Sequence, residues 1–220
     1  MTGKKWKKCL QIWCSGCMII MVMLMTACGL VGDAQPQITD EESALAFLDS
    51  LESYEAQVAI TFYSNKGENT YMVNQKARVG GQFRLEITEP AGVQGVLTIC
   101  DGQRTVQTDP SIGAEVEAKP TPVRDALLLY RFLDAYHENS GTCEEGTDGN
   151  SLVLTASYGV GHKKIVTGKL TLKKGEGTPL TLEITDENGS PAIRMTYQSF
   201  QINPELTDDS FNITTETPAS

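Results

Sequence analysis

The residues of this chain that could do chemistry are six cysteines, two histidines and 28 carboxylates, and their spacing restricts what they can do. Cys28 closes a short apolar segment and directly follows Thr26 and Ala27. His137 falls at the end of a helical pattern, where a cation suits the helix dipole, and His162 falls in a turn beside Lys163 and Lys164. Neither belongs to a HExxH helix, a cysteine pair at zinc spacing or a Ser/His/Asp set. Gly159-Val160-Gly161 lies between strand patterns rather than before a helix, so it is no phosphate loop. Glu41-Glu42, Glu144-Glu145 and Asp208-Asp209 fall in caps, loops or tails, where solvation explains them. The sequence therefore predicts a protein with no catalytic residues, no metal site and no cofactor.

The chemistry at Cys28 is of another kind. Lys4, Lys5, Lys7 and Lys8 form a basic start, residues 10–25 are mostly apolar, and small residues precede the cysteine. That order is the mark of a secretory signal peptide. The run Leu24-Met25-Thr26-Ala27-Cys28 resembles the lipobox of bacterial lipoproteins, in which the thiol is alkylated with diacylglycerol and the chain is cut before it. Two or three acyl chains hold a protein on a membrane, whereas one does so only marginally. The rival, an uncleaved signal anchor, is weakened by Cys14, Ser15, Gly16 and Cys17 within a stretch near the lower spanning length. The expected location is the extracytoplasmic face of the cell membrane, or a spore envelope.

Cleavage before Cys28 leaves 193 residues, enough for one domain with a core. With four lysines gone, the formal charge of −10 becomes −14. Such a chain is repelled by nucleic acid and by anionic headgroups, so acyl chains rather than surface charge must hold it on the membrane. Cys100, ending an apolar run, and Cys143, in a polar stretch read as loop, are the remaining thiols. A bridge between them and two unrelated free thiols are both compatible with the sequence.

The elements follow from periodicity. Residues 1–27 read as signal peptide, 28–37 as a lipidated tether, 38–213 as one domain and 214–220 as a flexible tail. Thr39-Asp40-Glu41-Glu42 reads as a cap and acidic first turn, and Ala44, Leu45, Leu48 and Leu51 recur at helical spacing to about residue 52. From Tyr54 the period becomes two, with Val58, Ile60 and Phe62 on one face. Strands follow at about 71–75, 83–88, 96–100, 104–108 and 114–118, separated by Asn65-Lys66-Gly67, Gly80-Gly81, Asp101-Gly102 and Asp109-Pro110. Lys119-Pro120-Thr121-Pro122 opens a second helix over 123–138. Strands at 151–158, 164–173, 179–185 and 192–202 close the domain, with a parity shift that implies a bulge near Gln198-Ser199.

Without βαβ alternation the fold class is α+β: a strongly curved antiparallel sheet forming a half-open barrel, with an N-terminal helix and an inserted helix on its concave face. The expected core contains Val58, Ile60, Phe62, Phe83, Leu85, Ile87, Leu128, Leu152, Leu154, Leu180, Leu182 and Ile184. The second helix carries more apolar residues than one docking stripe needs. Its excess, at Leu129, Tyr130, Phe132, Leu133 and Tyr136, is the candidate partner- or lipid-binding surface. Burial between sheet and loops is the competing reading.

The lipobox, the leading helix and Tyr54-Glu55-Ala56 entering long strands together resemble the LolA/LolB-like lipoprotein-carrier superfamily. Residues 65–71, 82–87 with Pro90, and 95–98 with Asp101-Gly102 resemble its clostridial GerS-like branch, and the ending from Ile202-Asn203-Pro204 to Asp208-Asp209-Ser210-Phe211 resembles the closing strand of the superfamily. The superfamily implies a LolA-like half-barrel whose concave face can hold acyl chains. The branch implies a non-catalytic partner of a cell-wall amidase that modifies cortex peptidoglycan for spore germination. A homodimer stays open under either.

Overall fold

The computed structural model describes residues 37–159 and 163–213. Cys28, the expected signal peptide and nearly all of the tether lie outside the described residues, as do His162 and the tail from 214 onward. The first described helix, α1 (Glu41–Asp49), starts at Asp40, whose carboxylate accepts the Ser43 N–H while the Ser43 side chain receives the Asp40 backbone N–H. This reciprocal cap, together with Glu41 and Glu42 at the positive end of the dipole, fixes where the helix begins. It ends at Asp49, slightly earlier than expected, and buries Ala44, Phe47 and Leu48.

Eleven strands follow. They are β1 (Ser53–Ser64), β2 (Gly67–Arg78), β3 (Gln82–Glu89), β4 (Leu97–Asp101), β5 (Thr105–Asp109), β6 (Ala114–Glu117), β7 (Thr142–Glu145), β8 (Ser151–Ser157), β9 (Thr167–Lys173), β10 (Pro179–Thr185) and β11 (Pro191–Ile202). All belong to one antiparallel sheet in the order β6-β5-β4-β3-β2-β1-β11-β10-β9-β8-β7. The sheet curves without closing, so β6 and β7 remain edges, and the fold is the expected half-open barrel. The expected bulge is present: Gln57 faces Ser199 while Val58 faces Tyr197, which leaves Gln198 unpaired.

The structure corrects the sequence reading at three places. The helix expected over 123–138 is two helices, α2 (Pro122–Asp125) and α3 (Leu129–Glu138), separated where Leu128 is extended. Two polar side chains of the sheet hold that break. The buried Gln75 donates Nε2–H to the Leu127 carbonyl at 3.3 Å, and the Tyr54 hydroxyl accepts the Leu129 N–H at 3.1 Å. Leu128 has no side-chain oxygen with which to cap α3, so the phenol of Tyr54 supplies one. Second, Cys143 is not in a loop but in the edge strand β7, opposite Leu154. Both Cys100 and Cys143 are free thiols. Third, Leu180 is only half-buried. Pro179 faces Leu172 and Thr181 faces Thr171, so Leu180 is squeezed out of register and Pro179 takes the buried place.

The inner core lies between the concave sheet face and the helices, and includes Leu48, Val58, Ile60, Phe132, Leu154, Leu170, Leu172, Leu182 and Ile184. Gly168 lets α3 approach closely: a Cβ there would stand 2.8 Å from the Tyr158 ring and 3.0 Å from that of Phe132. A 3-10 turn at Asp208–Phe211 returns the chain to β3 and β4, and Phe211 is buried under the Arg78 guanidinium, 5.2 Å from its ring centre. Asn203, with φ 46°, accepts the Glu52 N–H at 2.8 Å and donates to the Ser50 carbonyl, so the end of β11 locks the α1–β1 junction.

Candidate binding cavity

The five helix residues proposed as a binding surface are all buried within the monomer. Leu129 and Phe132 are 0 % exposed, and Tyr130, Leu133 and Tyr136 are no more than 7 %. The split explains this: α3 alone is short enough to sink against β8 and β9, and its polar face is carried by Arg131, Asp134, His137 and Glu138. The Tyr136 hydroxyl donates to Glu41 at 2.6 Å and His137 meets Asp49 at 2.8 Å, joining α3 to α1. Burial pushes the Tyr130 phenol up to about 12 and drives the Tyr54 phenol well above its ordinary value. These five side chains are core, and none lines the cavity described next. An exposed aromatic interface on this helix is therefore ruled out.

The opening lies elsewhere on the concave face. A cavity of about 570 Å³ is bounded by β1 to β5 on one side and by α2 with Leu127 on the other. Strand alternation sets its floor. Ile60 and Phe62 on β1, Tyr71 and Val73 on β2, and Leu85 and Ile87 on β3 all point to the same side. The Phe62 and Tyr71 rings meet edge to face, 6.0 Å apart. The rim is polar: Asn69, Gln107, Asp109, Thr121 and Arg124. Thr121 caps α2 and the Arg124 guanidinium donates to the Lys119 carbonyl at 2.9 Å, while Asp109 accepts from the Ser111 backbone and hydroxyl.

Such a cavity can hold an apolar chain or side chains in its floor and orient polar groups at its rim. Its charged groups are already engaged in the loops that carry them, so they form no acid–base pair. No group of three His, Cys, Asp or Glu placed to hold a metal occurs among the described residues. The sequence identified much of the floor as core (Ile60, Phe62, Leu85, Ile87) but could not show that it is under-filled. That follows from where α2 ends, which Gln75 and Tyr54 decide from a distance.

The chain is similar to several solved structures. An uncharacterized conserved protein from Thermus thermophilus is 13 % identical, covering 77 % of this chain and 91 % of its own, with a TM-score of 0.50. A LolA superfamily protein, NE2245 from Nitrosomonas europaea, is 15 % identical over 78 % and 96 % of the two chains, at 0.44. The structure of the CwlD amidase from Clostridioides difficile in complex with the GerS lipoprotein contains a chain 17 % identical, over 76 % and 92 %, at 0.42. No curated protein sequence matches the chain. The model of one family, sporulation protein YdcC-like, matches residues 14–211, which takes in every described strand from β1 to β11, and the chain belongs to that family.

Proposed function

We propose that this protein is a membrane-tethered, extracytoplasmic binding protein of sporulation or germination, which supports a cell-wall amidase without performing catalysis itself. The observation that carries the reading is the form of the sheet: eleven strands curve around a core yet leave an apolar cavity and two edges unclosed. Membership of a sporulation family supplies the setting. The lipobox at Cys28 supplies the tether, and the GerS-like segments motivate an amidase as the partner. Lipidation also explains how a chain of such negative charge stays at a membrane.

The apolar cavity floor favours a second reading, a carrier that shelters acyl chains. Each buried methylene contributes about 0.8 kcal/mol, so even part of an acyl chain would be held appreciably. Native mass spectrometry of the full-length protein in detergent micelles separates the two. Capture of a cell-wall amidase by a domain free of lipid supports the partner role. Stoichiometric co-purified acyl chains, lost on Ile87→Asp and with no amidase captured, would replace it by the carrier. Replacing Cys28 with Ala should release the protein from the membrane pellet. A variant that stays there as firmly as the parent would make residues 10–27 the anchor.

A further inference from the structure

The concave face does not stop at the polar rim of the cavity. Leu85 faces Thr98, Thr98 faces Gln107, and Gln107 faces Val116, so one row of concave-side residues crosses β3, β4, β5 and β6. It ends on the edge strand β6, where Val116 is 61 % exposed, close to Ile112 in the preceding turn at 74 %. Few large apolar residues of the described chain are this exposed, and these two belong to the edge strand and the turn that leads into it.

The backbone of β6 is open as well. The Ala118 N–H donates to the Thr105 carbonyl, and antiparallel alternation then turns the N–H and C=O of Val116 toward β5. Those of Glu115 and Glu117 point away from the sheet. Their side chains lie on the face opposite Val116, both are exposed, and neither forms an ion pair among the described residues. The edge therefore combines unpaired backbone groups, an apolar side chain on the cavity side and two exposed carboxylates on the other side.

From this we propose that β6 is the docking edge for an extended segment of a protein partner, added as a twelfth strand, with apolar residues toward the cavity and Lys or Arg facing Glu115 and Glu117. The inference rests on the partner reading above and names its contact. Strand addition draws affinity from main-chain hydrogen bonds and specificity from alternate side chains. Charge selects the occupant. A second copy of this chain paired on the same edge would set Glu115 and Glu117 against their own counterparts, and like charges directly opposite repel. A basic strand meets the same carboxylates with attraction, and its apolar residue beside Val116 covers that exposed side chain.

Binding of a labelled peptide with four alternating Lys-Val pairs to the full-length protein in detergent micelles tests this, with a peptide of four Lys then four Val as control. The alternating peptide should bind at least tenfold more tightly. Glu115→Pro removes an outward N–H without touching the β5 ladder and should weaken that binding tenfold or more. If that variant melts early, the double change Glu115→Gln and Glu117→Gln replaces it; affinity should fall and lose its salt dependence. Equal binding of both peptides, or unchanged binding to the Pro or Gln variant, overturns the edge. So does a dimer, seen by sedimentation, that Glu115→Pro dissociates. An amidase captured equally by parent and Glu115→Pro chains overturns this inference alone and leaves the partner role intact. Edge-dependent peptide binding without amidase capture upholds the edge and removes the amidase.

Discussion

Follow one row of concave-side residues across the sheet and the molecule divides in two. Leu154, Leu170, Leu182, Met195 and Ile60 face one another in sequence from β8 to β1, each no more than 1 % exposed; the next residue, Tyr71 on β2, is half-buried. The neighbouring row repeats the change, from Ala156, Gly168, Ile184 and Ile193 to half-buried Phe62 and exposed Asn69. Helix α3 covers the first half, whereas the shorter α2 leaves the second half open. One continuous sheet thus has a packed half that holds the fold together and an open half that is available to a partner.

Substitutions should divide along the same line. The largest loss belongs in the packed half: Leu170→Ala should cost about 2–5 kcal/mol in chemical denaturation, because the site cannot collapse around the lost methyl groups. Gly168→Ala should cost about 1–3 kcal/mol, since the added carbon drives into the rings of Tyr158 and Phe132. If Gly168→Ala is neutral, α3 is less tightly seated than the packed half requires. Tyr54→Phe should cost about 1 kcal/mol or somewhat more, by leaving the Leu129 N–H without its acceptor. In the open half, Ile87→Ala should cost about 1 kcal/mol or less, because the side chain is only partly removed from water. A loss at Ile87 equal to that at Leu170 would erase the comparison.

The turns at Gly67, Gly80 and Gly189 and the bulge at Gln198 were legible because each rests on local chemistry, a positive-φ glycine or a parity shift. Strand ends were not: β2 runs Gly67–Arg78 where 71–75 was expected, and β9 starts at Thr167 rather than 164. Most of the core was legible from alternation. The division of the 123–138 segment was not, because the groups that cause it, Gln75 and Tyr54, are distant in sequence and look like ordinary strand residues. From that one break follow both the burial of Tyr130, Phe132 and Tyr136 and the existence of the cavity. Strand β7 escaped notice because Thr-Cys-Glu-Glu has no apolar alternation and is a strand only through its pairing with β8. Leu180 misled because a bulge changes which residue faces inward without any mark in composition.

A smaller effect comes from alkali. The folded-state phenol of Tyr130 titrates at about 12, above its ordinary value near 10, so the folded chain holds that proton more tightly than the unfolded chain does. Its contribution is complete below pH 10 and is lost as pH rises through about 12. Stability should therefore fall over that window, and Tyr130→Phe should flatten part of the decline. A Tyr130→Phe chain with the full alkaline slope would assign the effect to the other buried tyrosines.

Hydrogen exchange on the full-length protein, with and without the proposed amidase partner, tests the division most directly. The account predicts new protection confined to β4, β5, β6 and residues 121–127, with β8, β9 and β10 already slow and unchanged. Protection appearing on β7 to β10 while β4 to β6 exchange as before would contradict it.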